Sequence, residues 1–389
     1  MTTAGHVGRL TAVAHGAMMV FGIVMALIGA VTPALAGRVD LEIADIGRLF
    51  LAMNAAMLAA SLVLGVVVDR GGLRMPMVAG ALLVAGGLFT VAHAAGTQAL
   101  VVGVVALGAG GGALNGASNI LIADLHEDEH RKSVALNRLG VFFGIGAVVM
   151  PFAVSFLVAH VGLGGVLSAA AVLCVALGLS AILFAFPLPK LPQGRPLAAL
   201  PRYLRQPVVL ALGVLLFFQS GNEFLLGGYI ANVLTRDLGA SVTTASLWLA
   251  AFWSAIMVTR LAMGQILARV SGPRVVVVAA LGAAVASVGV VVAPTPLIAG
   301  LAATSAGLLL SPIFPTVLGV AGARYREQSG AVFGVLFAVA LTGGMTMPWL
   351  AGHLAARTGL RWVFLLAAAN FVMVAMAMRL VDRTLHRWR

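Results

Sequence analysis

The chain of 389 residues is 61% hydrophobic and only 9% charged, with a mean hydropathy of +1.08. Soluble domains contain about 25% charged residues, so this composition excludes a soluble globular enzyme. The net charge of +12 comes from short clusters of Lys and Arg between apolar runs. Clusters in such places orient membrane helices, and no basic groove with interleaved aromatic residues is present, so we expect no nucleic acid partner. The composition predicts a polytopic membrane protein.

Twelve apolar runs are long enough to cross a bilayer, and backbone groups in hydrocarbon must bond within their own segment, which predicts helices. The first half contains the predicted spans Leu10–Ala36, Leu49–Val68, Pro76–Ala95, Ala99–Ala123, Val134–Ala159 and Val166–Phe186. The second half contains Val208–Leu234, Val242–Leu267, Val275–Ala293, Leu297–Val320, Ala331–Ala355 and Trp362–Leu380. The expected fold is therefore all-α with twelve transmembrane helices.

Lys and Arg are distributed unequally between alternate loops. With the N-terminus in the cytoplasm, the cytoplasmic segments hold 17 of the 24 and the opposite side holds five. The remaining two, Arg138 and Arg260, fall inside or near spans. This distribution predicts an inner-membrane protein with both termini cytoplasmic. The only cysteine, Cys174, lies in an apolar run, so we expect neither a disulfide framework nor a cysteine metal cluster. We also expect no cofactor and no bound metal.

The two halves of the chain repeat each other. Dipeptides recur at an offset of 197 residues: Met150-Pro151 as Met347-Pro348, and Gly162-Leu163 as Gly359-Leu360. A proline-rich polar segment between the halves suits a cytoplasmic linker. The predicted domains are a six-helix half at 1–187, a linker at 188–207 and a second six-helix half at 208–389. Two parallel six-helix repeats are typical of one large transporter fold, which places the substrate site between the halves.

The loop after the second span reads Gly65-x-x-x-Asp69-Arg70-x-Gly72-x-Arg74, and a degenerate copy surrounds Arg269. With this loop the chain resembles the major facilitator superfamily. The resemblance implies two pseudo-symmetric six-helix halves and secondary transport by alternating access, and it implies that the protein is not an enzyme. It further implies a cytoplasmic gate formed by Gly65, Asp69, Arg70, Gly72, Arg74 and Arg269.

A narrower resemblance concerns the fucose/glucose–galactose permease group. It is carried by the segment from Asn137 to Ala147, by Gly221-Asn222-Glu223, and by the segment from Ser311 to Thr316. The resemblance implies proton-coupled uptake of a small polar solute such as a sugar. The chain departs from the group because its first and fourth spans contain no acid, where the proton-coupled fucose permease carries carboxylates.

Glu223 is unusual because the other eleven acids fall in loops or at helix ends, whereas Glu223 lies well inside a span. An ionised carboxylate at that depth costs several kcal/mol unless it is paired, protonated or in contact with water. We therefore predict that Glu223 couples transport to protons and contacts substrate. A permanently hydrogen-bonded structural acid, or substrate contact without coupling, are the alternatives.

Two polar triplets share the spacing i, i+3, i+4, which places each on one helix face. They are Gln219, Asn222 and Glu223 in the seventh span, and Asn115, Ser118 and Asn119 in the fourth. The resemblance implies that these spans line a central cavity, so both triplets are candidate substrate ligands. Hydrogen bonding between helices is the alternative. Further candidates for the cavity lining are His15, Tyr229, Asn232, Thr304 and Ser311.

Other functions remain open at this point. The Met-rich first span, with Met18, Met19 and Met25, favours export of amphipathic or drug-like compounds, and an uncoupled facilitator is a further alternative. His126-Glu127-Asp-Glu-His130 matches a zinc-protease pattern, but no span supplies the distant Asp ligand that an intramembrane protease needs. A zinc enzyme is therefore a remote alternative.

The partners that we expect are a small-molecule substrate, a proton and the lipid bilayer, and we expect a monomer. Arg138 needs a counter-charge, which either the Asp124–Glu129 loop or Glu223 could supply. Arg260 is interpreted as structural.

Overall fold

The computed structural model describes residues 4–35, 38–126, 128–187, 203, 205–267, 269–325 and 329–386. Within these ranges the regular structure is entirely helical. The first half contains α1 (Ala4–Leu35), α2 (Ile43–Gly71), α3 (Arg74–Ala92), α4 (Thr97–Leu125) and an element Glu129–Leu183 that Gly162 divides into α5 and α6. The second half contains α7 (Pro207–Asn232), α8 (Val242–Leu267), α9 (Gly272–Val292), α10 (Pro296–Leu310 and Ile313–Arg324), α11 (Ser329–Thr358) and α12 (Val363–His386).

The predicted all-α fold with twelve transmembrane helices is confirmed. Several helices extend beyond their predicted spans; α2, for example, begins at Ile43 and ends at Gly71 rather than covering Leu49–Val68. Hydropathy identifies only the apolar part of a helix, because polar residues continue the backbone bonding after the hydrocarbon ends. Most of the predicted linker 188–207 lies outside the described residues.

The boundary between α5 and α6 is a single residue. Gly162 has φ 69° and ψ 166°, which no L side chain adopts without strain, and helical geometry resumes immediately after it. At the repeat offset, Gly359 has φ 100° and separates α11 from the short helical turn Leu360–Trp362 that precedes α12. The repeat found in the sequence is therefore present in the backbone as two equivalent left-handed turns.

Helix α10 is broken where the sequence predicts a continuous span. The break falls at Ser311–Pro312, because a proline inside a helix lacks an N–H donor and clashes with the preceding turn. The Ser311 hydroxyl is buried and donates to the Ile256 carbonyl oxygen at 2.7 Å. Helix α7 continues past its end through one π-helical turn, Val233–Asp237.

Residue contacts divide the chain into two compact units. The first unit comprises Met1–Asp40 and Ala52–Arg195, and the second comprises Leu41–Leu51 and Pro196–Arg389. In the first unit α1 packs on α4 and α5, and α3 packs on α4 and α6. In the second unit α7 packs on α8, α11 and α12, and α9 packs on α10 and α12. The start of α2 belongs to the second unit, where Gly47 meets the backbone of Trp349.

Both units contain helix crossings at which backbones touch directly, and one such crossing in each unit falls at equivalent positions of the repeat. In the first unit, a Cβ added to Gly146 of α5 would overlap the Met19 carbonyl of α1. In the second unit, a Cβ added to Gly343 of α11 would overlap the Phe217 carbonyl of α7. Small residues allow such close approach between membrane helices, where packing drives association. Gly146 and Gly343 are separated by the same 197 residues as the repeated dipeptides (343 − 146 = 197).

Replacing either glycine should loosen its crossing. We expect Gly146→Ala and Gly343→Ala each to destabilise the protein by about 1–3 kcal/mol, because the added methyl group meets backbone that cannot rotate away. Thermal unfolding of the purified protein in detergent measures the effect. Gly86→Ala on α3 is the matched control, since a Cβ there meets nothing within 4 Å. Unchanged melting of both crossing variants would contradict the backbone contact.

Candidate transport site

Helix α7 carries the polar residues that the sequence predicts as a transport site. Gln219, Asn222 and Glu223 are all buried, with relative exposures of 0%, 0% and 7%. Glu223 lies sixteen residues after the first residue of α7 and nine before the last (223 − 207 and 232 − 223). A group at that depth in a membrane-spanning helix needs a polar partner or water.

The partner of Glu223 is Arg260 of α8. Arg260 Nη2 lies 3.7 Å from Glu223 Oε1, and Gln219 Nε2 donates to Glu223 Oε2 at 3.3 Å. The Glu223 side chain is 10% exposed and the Arg260 side chain 32%. The sequence suggests a structural role for Arg260 and offers Arg138 as a partner of Glu223, whereas the structure places Arg260 at this carboxylate. Two membrane-embedded charges of opposite sign could have suggested this pairing.

Gln219 retains an unused acceptor beside this pair. Its amide nitrogen is bonded to Glu223, whereas no donor among the described residues reaches its buried Oε1. A buried carbonyl oxygen without a hydrogen bond costs about 1–3 kcal/mol. Gln219 Oε1 is therefore available to accept a hydrogen bond from a bound molecule.

Asn222, the third member of the triplet, is bonded to α12. Asn222 Nδ2 donates to the Ala367 carbonyl at 3.0 Å, and Asn370 Nδ2 donates to Asn222 Oδ1 at 2.9 Å. Asn222, Ala367 and Asn370 are all buried, so these two hydrogen bonds hold α7 against α12. A substrate would have to displace them to use Asn222, which favours the alternative of hydrogen bonding between helices.

Two further candidates on α7 also bond within the protein. The Tyr229 hydroxyl donates to the Pro348 carbonyl of α11 at 2.9 Å, and Asn232 Nδ2 donates to the Gly228 carbonyl of its own helix at 3.1 Å.

Thr304 of α10 differs from these two residues, because its hydroxyl oxygen is buried and has no hydrogen-bond partner among the described residues. Thr304 therefore keeps free bonding capacity.

The triplet of α4, in the first unit, also contains one residue that is bonded within the protein and two that keep unused hydrogen-bonding groups. The Ser118 hydroxyl is buried and donates to the Leu114 carbonyl at 2.7 Å. Asn119 is exposed, and its Nδ2 lies 2.9 Å from the Asn115 carbonyl and 3.1 Å from Asn115 Oδ1. The side-chain amides of the two asparagines thus keep hydrogen-bonding capacity for a ligand, whereas the Ser118 hydroxyl is bonded within its own helix.

His15 of α1 forms a contact that the sequence did not suggest. Its imidazole stacks on the Phe142 ring of α5, with ring centroids 4.1 Å apart and an interplanar angle of 9°. The flat contact fixes the orientation of the imidazole. A polar ring nitrogen is thereby held at a defined place in the first unit.

The predicted gate loop begins at the end of α2. Gly72 has φ 73°, and its N–H donates to the Val68 carbonyl at 2.9 Å, so this glycine ends the helix. Gly65 lies inside α2, and Asp69 and Arg70 are exposed at its end. Arg74 donates to the Ile182 carbonyl at the end of α6, where a cation is favourable. Arg269 is exposed in the turn after α8. The gating role of these residues stays a prediction.

The zinc-protease pattern is only partly described. His126 Nδ1 lies 3.0 Å from the Ile122 carbonyl, while Glu127 and the His130 side chain lie outside the described residues. Among the residues that the structure does describe, no three His, Cys, Asp or Glu side chains form a group suited to a metal ion.

The mutual dependence of Glu223 and Arg260 can be measured with a double-mutant cycle. Arg260→Gln leaves an unpaired carboxylate, so we expect it to destabilise the protein more than the double variant with Glu223→Gln does. The coupling free energy should be about 1–3 kcal/mol, measured by thermal unfolding. Arg274→Gln, an exposed arginine at the start of α9, is the control and should melt like the wild type. Additive effects of the two single substitutions would show that the pair contributes no stability.

Solved structures of membrane transporters share this fold. The superposition on a bacterial homologue of the human lysosomal transporter Spinster covers 98% of this chain and 98% of the homologue, with a TM-score of 0.82 and 15% sequence identity. The superposition on a D-xylose-proton symporter covers 96% of this chain and 97% of the symporter, with a TM-score of 0.82 and 14% sequence identity. The E. coli fucose:proton symporter matches 95% and 98%, with a TM-score of 0.65 at 16% identity. At such identities the likeness shows the fold.

The sequence itself identifies the family. No curated protein sequence matches the chain significantly. The model of the Major Facilitator Superfamily, however, matches residues 14–221 and again residues 212–388, which together cover nearly the whole chain. The two successive matches agree with the repeat of the helix crossings and the left-handed turns. The chain belongs to the Major Facilitator Superfamily, and the protein is a multi-pass membrane transporter and not an enzyme.

Proposed function

We propose that the protein is a proton-coupled secondary transporter that takes up a small polar solute, with a sugar as the first candidate. The observation that carries the proposal is the Glu223–Arg260 pair, with Gln219 beside it, in two helices that contain no other charged residue. A titratable acid at this depth is the group that proton coupling requires. Similar folds in a D-xylose-proton symporter and a fucose:proton symporter support the solute class.

Protonation of Glu223 would change the charge state of this site. The neutral acid attracts Arg260 less strongly than the carboxylate does, so the guanidinium can donate to a solute in place of Glu223. Gln219 Oε1 has an unused acceptor position for a solute hydroxyl. Loss of the proton restores the ion pair and removes that donor, which favours release of the solute. Proton binding and solute binding are linked in this way through one cation.

The remaining parts of the proposal follow from the sequence. The excess of Lys and Arg in alternate loops supports a bacterial inner-membrane location with both termini in the cytoplasm. Transport would proceed by alternating access of the two six-helix halves, within a single chain. The predicted gate residues Asp69, Arg70 and Arg269 would act on the cytoplasmic side during this cycle.

Proton movement in proteoliposomes tests the coupling. We expect pools of sugars to acidify the lumen of vesicles that contain wild-type protein and a trapped pH dye, because each solute molecule enters with a proton. Glu223→Gln should abolish the signal while leaving the protein folded. Glu42→Gln, an exposed acid before α2, is the matched control and should behave as the wild type does.

The same assay separates the alternatives. Proton release from the lumen on addition of amphipathic compounds, with sugars inert, would favour the exporter suggested by the Met-rich α1. Solute uptake that moves no protons in either protein would leave an uncoupled facilitator and would make Glu223 a substrate ligand or a structural acid.

A further inference from the structure

Arg138 is the second arginine within a membrane-spanning segment, and its environment differs from that of Arg260. It lies on α5, nine residues after Glu129 and four after the start of the apolar span at Val134. Its side chain is exposed. A permanent cation at this position carries an energetic cost unless an anion or water neutralises it.

Arg138 has no anionic partner within the described part of the chain. Among the side chains that the structure describes, none forms a hydrogen bond or an ion pair with Arg138. Glu129, on the same helix, lies about 13 Å away along the axis. Arg260, by contrast, has the Glu223 carboxylate at 3.7 Å. Among the described residues, the fold therefore supplies Arg260 with a counter-ion and supplies none to Arg138.

The surroundings of Arg138 favour an organic ligand. Phe142 lies one helical turn further along α5 and stacks on His15 of α1. Because Arg138 and Phe142 are four residues apart, the guanidinium lies on the same face of α5 as the stacked rings. Three groups thus share this face of the α1–α5 contact: a guanidinium, an imidazole and an aromatic ring. They offer a forked donor for an anion, a second polar nitrogen and a flat apolar surface.

The position also favours a solute over a lipid. His15 is partly buried, and α1, on which it lies, has the largest buried share among the described candidate spans. An arginine that only reached lipid phosphates would need no such neighbour on α1. Anionic oxygens on a solute and on a lipid headgroup nevertheless share the same chemistry, and experiment must separate them.

We propose that Arg138, flanked by the stacked His15 and Phe142 rings, binds the carboxylate of the transported solute, which is a hydroxylated organic acid such as a sugar acid. The inference rests on the proposed transport function and makes its substrate class more specific. The guanidinium binds a carboxylate through two parallel N–H bonds, a geometry that Lys cannot reproduce. A neutral sugar would supply no negative charge to Arg138.

Ligand-dependent unfolding tests the substrate class without requiring transport. Purified protein is heated with D-galactose or D-glucose, and in parallel with D-galacturonate, D-glucuronate or D-gluconate at equal ionic strength. We expect one or more acids, and not the parent sugars, to raise the melting temperature. Arg138→Gln should lower the affinity for the stabilising acid about 10–100-fold, and Arg138→Lys should recover part of that affinity. Arg131→Gln, on the exposed start of α5, should leave it unchanged.

Membrane potential provides an independent measurement in proteoliposomes. A carboxylate that enters with one proton carries no net charge, so a potassium diffusion potential set with valinomycin should not accelerate its uptake. A neutral sugar that enters with one proton carries a positive charge, and a negative interior should accelerate its uptake. Vesicles without protein correct for passive entry of the acids.

The outcomes distinguish this inference from the function on which it rests. Neutral sugars that move protons equally in wild type and Arg138→Gln, with acids inert, would overturn the inference and leave proton-coupled transport standing. Acids that bind through Arg138 but move no protons would support the anion site and remove the coupling. If Arg138→Gln changes only the stabilisation by anionic lipid, Arg138 binds lipid phosphate and the proposal is overturned. The proposal is also overturned if none of the acids raises the melting temperature of the wild type.

Discussion

The ion pair between Glu223 and Arg260 is the constraint on which the chemistry of the second unit depends. Each charge is unfavourable in an apolar helix bundle, and either one alone would cost more than the pair does. The Arg260 side chain must reach α7 from α8, and Gln219 must donate to the carboxylate. The hydroxyl of Ser311 fixes the broken helix α10 to Ile256, one turn before Arg260. Changes at the break in α10 therefore act on the helix that carries the cation.

The polar residues of α7 serve two purposes that their spacing alone does not separate. Asn222 and Tyr229 bond to α12 and α11 and hold the helix in place, whereas Gln219 and Glu223 keep groups that a proton or a solute can use. The supporting bonds orient the functional ones, because a helix fixed on one side can present the other side reproducibly. A polar residue in a transporter helix is thus defined by its neighbours on other helices.

Hydropathy and the repeat allowed the twelve helices, the signature loop and the depth of Glu223 to be predicted from the sequence. These features depend on local properties: apolar length, charge in loops and glycine at left-handed turns such as Gly162 and Gly359. The pairing of Glu223 with Arg260 and the stacking of His15 on Phe142 could not be predicted in the same way. Both join residues that are far apart in sequence, so they depend on how helices pack and rotate against each other. The predicted span Leu297–Val320 runs through the break in α10, because hydropathy does not register a proline inside an apolar run.

The two glycine crossings also show which features a duplicated ancestor would have passed to both halves. Gly146 meets Met19, and Gly343 meets Phe217, so α1 and α7 correspond at an offset of 198 residues (217 − 19). Glu223 then corresponds to Met25, and at the 197-residue offset Arg138 corresponds to Val335. The backbone frame is common to both copies, while each embedded charge occurs in one copy only. Divergence after duplication would thus have changed the chemistry and preserved the scaffold. A chimera built from two copies of the second half would carry the Glu223–Arg260 pair twice, whereas two copies of the first half would carry Arg138 twice and neither member of the pair.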